Sequence, residues 1–197
     1  MKLRPLSNSP LLDPSFCTVV LISPDALKDR SVDPSADAAR KQAIAAITRA
    51  ADIADVPVLV LSAQGPEQSS KIGRSPSSNR RFDFERHSSP WSQRAFVEAL
   101  AALDRAILIL AGLWFEHEIL AAALNALVEG YDVYVLLDAS APRSPLASAA
   151  ARERLLQAGG TPITACQVIS EWLFETADAS LRSELVALLP VAFNLTE

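Results

Sequence analysis

Residues 106–140 read AILILAGLWFEHEILAAALNALVEGYDVYVLLDAS, and this stretch decides the fold. Its two apolar ends, 106–111 and 132–137, predict strands of a sheet that is covered on both faces. The segment between them, 116–129, has the apolar spacing of a helix, and Gly130 follows at a position that favours a left-handed residue. A strand, a helix and a second strand in this order predict a parallel βαβ unit.

The same alternation continues outward from this unit. Further strands are predicted at 18–22, 56–61 and 161–165, and further helices at 35–54, 93–103, 144–158 and 180–189, with another helical region from about Val168. We therefore expect an α/β fold, a three-layer doubly wound and mostly parallel sheet with helices on both faces. Residues 62–92, rich in Ser, Pro, Gln and Arg, are interpreted as a long polar loop, either functional or simply solvated.

Composition limits the classes of protein to consider. The chain has 197 residues, half of them apolar, which predicts a single domain over 1–197 with an N-terminal arm at 1–15 and a helical tail at 178–197. A net charge of −5 argues against a nucleic-acid partner and against a polybasic membrane patch. No apolar run is long enough to span a bilayer, and residues 1–14 lack the apolar stretch of a secretory signal. The two cysteines, Cys17 and Cys166, are too few for a disulfide framework, so a cytoplasmic protein is expected.

Doubly wound sheets place their sites at the carboxyl ends of the strands. Chemistry is therefore expected from four short segments. They are 23–25 (Ser-Pro-Asp), 62–64 (Ser-Ala-Gln), 112–118 and 138–140 (Asp-Ala-Ser).

One block of the sequence resembles a known family. Ala-Gly-Leu-Trp-Phe-Glu-His-Glu at 111–118, Gly-Tyr-Asp-Val at 130–133 and Asp-Ala at 138–139 are similar to the central block of the isochorismatase-like cysteine hydrolases. Residues 91–96 and 152–159 resemble the YcaC-related branch of that family. The resemblance extends over about 18–173, and it implies the doubly wound fold and an oligomeric habit.

The resemblance also implies three catalytic roles. In the family, a cysteine at a helix N-terminus is the nucleophile, an Asp after the first strand is its base, and a Lys or Arg from the long loop stabilises developing charge. The position that matches the cysteine holds Glu118, and the position that matches the Asp holds Ser23. The position that matches the Lys falls at or near Phe84, although Arg86 could reach inward by a small shift of the loop. Phe115 stands where the family has a Thr. We therefore interpret the chain as a member that has lost the triad, a binding or scaffold protein.

Other interpretations of these residues stay open. Glu118 could be a general base that activates water, or an acidic residue that stabilises a helix N-terminus, as Glu116 beside it also would. Ser23 could be a nucleophile, or Asp25 could replace the missing base, although Ser-Pro-Asp is also common turn chemistry. Arg86 could bind an anion or pair with Glu118. A hydrolase of a small amide or ester-like substrate, using Glu118 or Asp25 with water, is the alternative function.

The remaining expectations concern ligands and partners. His117 and His87 lack the spacing of a metal site, so neither a metal nor a cofactor is expected. Trp114, Phe115, Phe84 and His117 are expected to line a pocket that could take a small molecule. A homo-oligomer is expected from the family resemblance and from apolar residues in the 186–193 segment, which we take as exposed.

Overall fold

The computed structural model describes residues 10–24, 34–64, 80–85 and 88–189. Six strands form one sheet in the order β3-β2-β1-β4-β5-β6, and every neighbouring pair is parallel. The strands are β1 (Cys17–Ile22), β2 (Val58–Gln64), β3 (Arg80–Glu85), β4 (Ile107–Leu113), β5 (Asp132–Ala141) and β6 (Thr161–Ile163). The expected doubly wound α/β sheet is confirmed.

Six α-helices surround this sheet in the part of the chain that is described. They are α1 (Pro34–Ile53), α2 (Arg94–Ala102), α3 (Leu120–Val128), α4 (Pro145–Gln157), α5 (Ala165–Glu175) and α6 (Ala179–Val186). Within the described ranges, none of the helices combines the length and apolarity needed to cross a membrane.

Alternate residues of the central strand explain the three layers. Val19 and Leu21 of β1 belong to a core that also contains buried residues of α1, α5 and α6, such as Trp172. Val20 and Ile22 belong to a second core with buried residues of α2, α3 and α4, such as Leu155. Since successive side chains of a strand point to opposite faces, an unbroken apolar run is what a strand between two helix layers requires.

The segment interpreted as a loop, 62–92, contains an additional strand. β2 extends to Gln64, and β3 pairs with it in parallel at the edge of the sheet, for example Ala63 with Phe84. In β3, Arg81, Asp83 and Glu85 alternate with Phe82 and Phe84. An edge strand with one solvated face carries few apolar residues, and this is why the composition suggested a loop.

Three other boundaries differ from expectation. β5 continues through Ala141, beyond the expected end at 137, so Ser140 and Ala141 pair with Gly112 and Leu113 of β4. β6 stops at Ile163, and α5 already begins at Ala165. In the expected exposed segment, Leu189 is buried at 9% exposure, while Val186 and Leu188 pack partly against the core. That expectation was wrong for Leu189, whereas Val186 and Leu188 keep intermediate exposure, and 190–193 lie outside the described ranges.

Candidate functional site

The junction between β4 and α3 lies at the topological switch point of the sheet. β2 and β3 continue from β1 on one side, and β4 and β5 continue on the other. After β4 the chain forms a π-helical turn, Phe115–Ile119, before α3. The Trp114 carbonyl accepts from the backbone N–H groups of His117, at 3.1 Å, and Ile119, at 3.3 Å. Doubly wound sheets bind ligands at this location.

Gly112 allows β1 and β4 to approach each other closely at this junction. It has a φ of +135° and is paired in register with Ile22. A Cβ atom at this position would overlap the Ile22 carbonyl oxygen and lie 2.7 Å from the carbonyl carbon. Only glycine satisfies both constraints without strain.

The carboxylate of Glu118 binds the start of its own helical turn. Its Oε2 accepts a hydrogen bond from the Trp114 backbone N–H at 3.1 Å, and the side chain is half-buried. N–H groups at the start of a helix have no partner within the helix and favour an acidic side chain. Glu118 therefore accepts from a backbone N–H group at the start of the turn that follows β4.

Ser23 joins the carboxyl ends of β1 and β2. Its backbone N–H donates to the Leu61 carbonyl at 2.6 Å, and its Oγ accepts from the Ala63 N–H at 3.1 Å. It is 5% exposed and has a φ of +48°. These contacts assign a structural use to this side chain. Asp25, which one interpretation made a replacement for the missing base, lies outside the described ranges.

The aromatic residues of the expected site are packed in apolar surroundings. Phe84 and Phe115 are buried in the core of the α2–α4 face. Trp114 packs with Leu113 and Ala141 in a separate small cluster. His117 is exposed. Arg86, which one interpretation paired with Glu118, and His87 both fall outside the described ranges.

Neither cysteine lies at the junction between β4 and α3. Cys17 is the first residue of β1, at the amino edge of the sheet, and it is fully buried. Cys166 lies in the first turn of α5 and is half-buried. The site at the end of β4 is therefore without a thiol from the described residues.

Glu116 and Arg143 form a contact that sequence reasoning missed. Glu116 Oε1 accepts from the Arg143 backbone N–H at 3.0 Å. The Arg143 guanidinium lies over the Trp114 ring, 5.0 Å from its centroid, at a distance typical of a cation–π contact. The acidic motif at 116–118 was visible in the sequence, but its contact with residue 143 depends on how β5 ends.

A cavity of about 1090 Å³ was also missed. It opens between α1, α4, α5 and the end of β5, and Asp138 and Ser140 from the expected 138–140 segment line it. Trp114, Phe115, Phe84 and His117 are not among its lining residues. Among the residues described, no group of three or more His, Cys, Asp or Glu side chains has an arrangement that could hold a metal ion.

Comparison with known proteins agrees with this architecture. The sequence model of the isochorismatase domain family matches residues 20–167. A protein of Escherichia coli strain K12 described as probable hydrolase YcaC is 36% identical over 86 residues, which is 42% of this chain and 41% of that protein. The match therefore spans less than half the length of that relative.

Two solved structures have the same fold. The YcaC gene product from Escherichia coli, described as an octameric hydrolase of unknown specificity, superposes with a TM-score of 0.74 and 23% identity over 94% of this chain and 93% of the other. YcaC from Pseudomonas aeruginosa, solved with hexane-2,5-diol and covalent acrylamide, superposes with a TM-score of 0.73 and 22% identity over 93% of this chain and 94% of the other. Because the family model covers most of the sequence, this chain belongs to the isochorismatase family.

Proposed function

We propose that this family member does not perform thiol-dependent hydrolysis and acts as an oligomeric binding protein. The observation that carries this proposal is the hydrogen bond from the Trp114 N–H to Glu118 Oε2, 3.1 Å long, at the position where the family resemblance puts the nucleophile. A helix N-terminus stabilises a thiolate by its free N–H groups. Here a carboxylate uses one of those groups to stabilise the turn.

The surroundings of Glu118 support a structural role. Ser23, at the position of the family's base, uses its hydroxyl to accept from the backbone of β2. Phe115 replaces the Thr of the motif and is 1% exposed within the core. A general base needs access to water and to a substrate proton within hydrogen-bond reach. These contacts favour binding over the alternative, hydrolysis of a small amide or ester by Glu118 or Asp25 with water.

Variants of Glu118 test the two functions directly. Glu118→Ala removes the acceptor for the Trp114 N–H and should lower the free energy of unfolding by about 1 kcal/mol. Glu118→Gln retains an acceptor oxygen and loses only the charge, so it should cost about 0.5 kcal/mol. Chemical denaturation measures both changes. Turnover of benzamide, 4-nitrophenyl acetate and isochorismate should equal the uncatalysed rate for the wild type and both variants.

One result would contradict the binding proposal. Hydrolysis by the wild type that disappears in both Glu118→Ala and Glu118→Gln would assign Glu118 as a catalytic carboxylate. Glu129→Gln is the matched control, because Glu129 follows the last residue of α3, far from the switch point. This variant should change neither turnover nor the effect of the Glu118 substitutions.

We further propose that the chain forms a homo-oligomer, as its octameric relative does. Large apolar side chains on α3, α4 and α5 are exposed, with Val128 at 87%, Leu146 at 81% and Phe174 at 64%. Burial of such side chains is a common driving force for association. Size-exclusion chromatography with light scattering should give a mass several times 21.1 kDa, and a monomer at micromolar concentration would contradict this proposal.

We also propose that the protein is located in a reducing compartment such as the cytoplasm. The two free thiols, Cys17 and Cys166, support this proposal.

A further inference from the structure

The cavity between α1, α4, α5 and the end of β5 contains buried polar groups without partners. Ser140 and Arg40 both line it and are 3% and 2% exposed. Ser140 Oγ and Arg40 Nη1 have no hydrogen-bond partner among the described residues. Most buried polar atoms are hydrogen-bonded, and a buried group left unpaired is costly. Two such groups belong to residues that line this one cavity.

Arg40 is held in position and still keeps one free donor group. Its Nε and Nη2 donate to Asp37 Oδ1 at 3.1 and 2.9 Å, and Nη2 also donates to the Pro24 carbonyl at 3.2 Å. Hydrogen bonds from Lys41 and then Arg40 lower the pKa of Asp37, so this carboxylate stays ionised and fixes the guanidinium. The remaining nitrogen, Nη1, is buried and has no hydrogen-bond partner among the described residues.

The charge of the wall favours an anion. Arg143 and Arg152 also line the cavity, whereas the one lining carboxylate, Asp138, already accepts from the Ala165 N–H with both oxygens at 3.1 Å. The 13-residue α4 and the 11-residue α5 both contribute residues of their first turn to the wall. Helix N-termini carry partial positive charge. Arg152 has no ion-pair partner within the described part of the chain, so its charge is available.

The cavity also has an apolar part to its lining. α1 presents small side chains spaced one helical turn apart, and α5 and the C-terminal segment add larger aliphatic ones: Ala36, Ala39, Ala43, Ala46, Ile169 and Leu188. Small residues on one helix face leave room that larger side chains would fill. A ligand that fits both the positively charged and the apolar parts of this lining has a charged end and an apolar body.

We propose that this cavity is a binding site for a small organic carboxylate. The carboxylate would accept from Arg40 Nη1 and Ser140 Oγ and face Arg152, while its apolar body would lie against the alanines of α1. Guanidinium groups bind carboxylates through charge-assisted hydrogen bonds. This site is distinct from Glu118, which does not line the cavity, and its assignment is independent of whether Glu118 supports hydrolysis.

Benzoate, hexanoate, benzamide and inorganic phosphate are suitable probes for calorimetric titration of the full chain. Benzoate or hexanoate should bind with a Kd of about 1 mM or below. Benzamide has the same shape as benzoate but no charge, and phosphate has charge but no apolar body. Both should bind at least about fivefold more weakly.

Cys166 locates the bound molecule, because it lines the same cavity and is half-buried, whereas Cys17 is fully buried elsewhere. Benzoate should slow alkylation of Cys166 by iodoacetamide, measured by mass spectrometry, and benzamide at the same concentration should not.

Three variants and one matched control test whether residues that line the cavity bind the carboxylate. Ser140→Ala should weaken benzoate binding about threefold and leave the free energy of unfolding unchanged or higher, since its Oγ has no partner to lose. Arg152→Gln should weaken binding about two- to fivefold. Ala39→Phe, at an exposed position of α1, should block binding sterically. Arg154→Gln removes a charge from the same helix outside the cavity and should leave binding unchanged.

Several results would overturn the proposal. They are no binding of either carboxylate up to about 20 mM, equal binding of benzoate and benzamide, and benzoate binding that none of the three variants changes. Protection of Cys166 that rises with protein concentration in the absence of any anion would also overturn it, because a second copy of the chain would then close the cavity.

Discussion

Replacing Gly112 by alanine is expected to lower the free energy of unfolding by about 3 kcal/mol or more. Two independent costs add at this position. The backbone has a φ of +135°, where L-residues are strained, and the new Cβ would overlap the carbonyl of Ile22 on the neighbouring strand. The strand ends at the switch point would have to separate to admit it.

Gly130→Ala is the matched control for this experiment. Gly130 also has a positive φ, +88°, but a Cβ there would meet no atom within 4 Å. It should therefore show the backbone cost alone, about 1–2 kcal/mol. Denaturation in urea measures both changes. Equal losses in the two variants would mean that the contact between Gly112 and Ile22 does not constrain the fold, and insolubility of Gly112→Ala alone would agree with the prediction.

Cys17 is expected to react with iodoacetamide about 1000-fold more slowly in the native protein than after unfolding at pH 8. Burial raises the pKa of its thiol from 9.0 to about 12, and the charge of Asp13 acts in the same direction, while the neighbouring Trp172 opposes it. Its Sγ donates to the Asp13 carbonyl at 3.2 Å. Peptide mapping after timed alkylation measures the rate, and Cys166, half-buried in the same molecule, is the internal control.

The same shift gives a dependence of stability on pH. Because the folded thiol has the higher pKa, the unfolded chain loses this proton first, and the contribution of Cys17 is fully present below pH 9.0. It should then decline by about 1.4 kcal/mol per pH unit toward pH 12. Cys17→Ser retains a donor for Asp13 and does not ionise in this range. Parallel pH profiles for the wild type and Cys17→Ser would contradict the assignment.

Burial on both faces explains which strands were predictable. β1, β4 and β5 lie in the interior of the sheet, so their apolar runs are visible without any knowledge of their partners. β3 is an edge strand whose Arg80 and Arg81 are exposed, and its parallel pairing with β2 is a contact that no local pattern encodes. The two Phe residues at alternate positions, 82 and 84, were the available signal.

The candidate site was likewise predictable from the sequence only in part. The position of Glu118 after β4 and the presence of Ser23 after β1 followed from the sequence. That the Glu118 carboxylate binds the Trp114 N–H depends on the π-helical turn, and that Ser23 joins two strands depends on the register of β1 with β2.

The cavity could not be predicted because its walls come from separate parts of the chain. Arg40 lies on α1, Ser140 on β5 and Cys166 on α5, and they line one space because β5 lies in the sheet with α1 and α5 on the same face. Periodicity and motif together determined the α/β fold, its family and the acid at the switch point, since these depend on local order and on residue type. Which polar groups are left without partners, and what ligand they could take, was decided by tertiary packing, because burial and distance exist only after the layers have assembled.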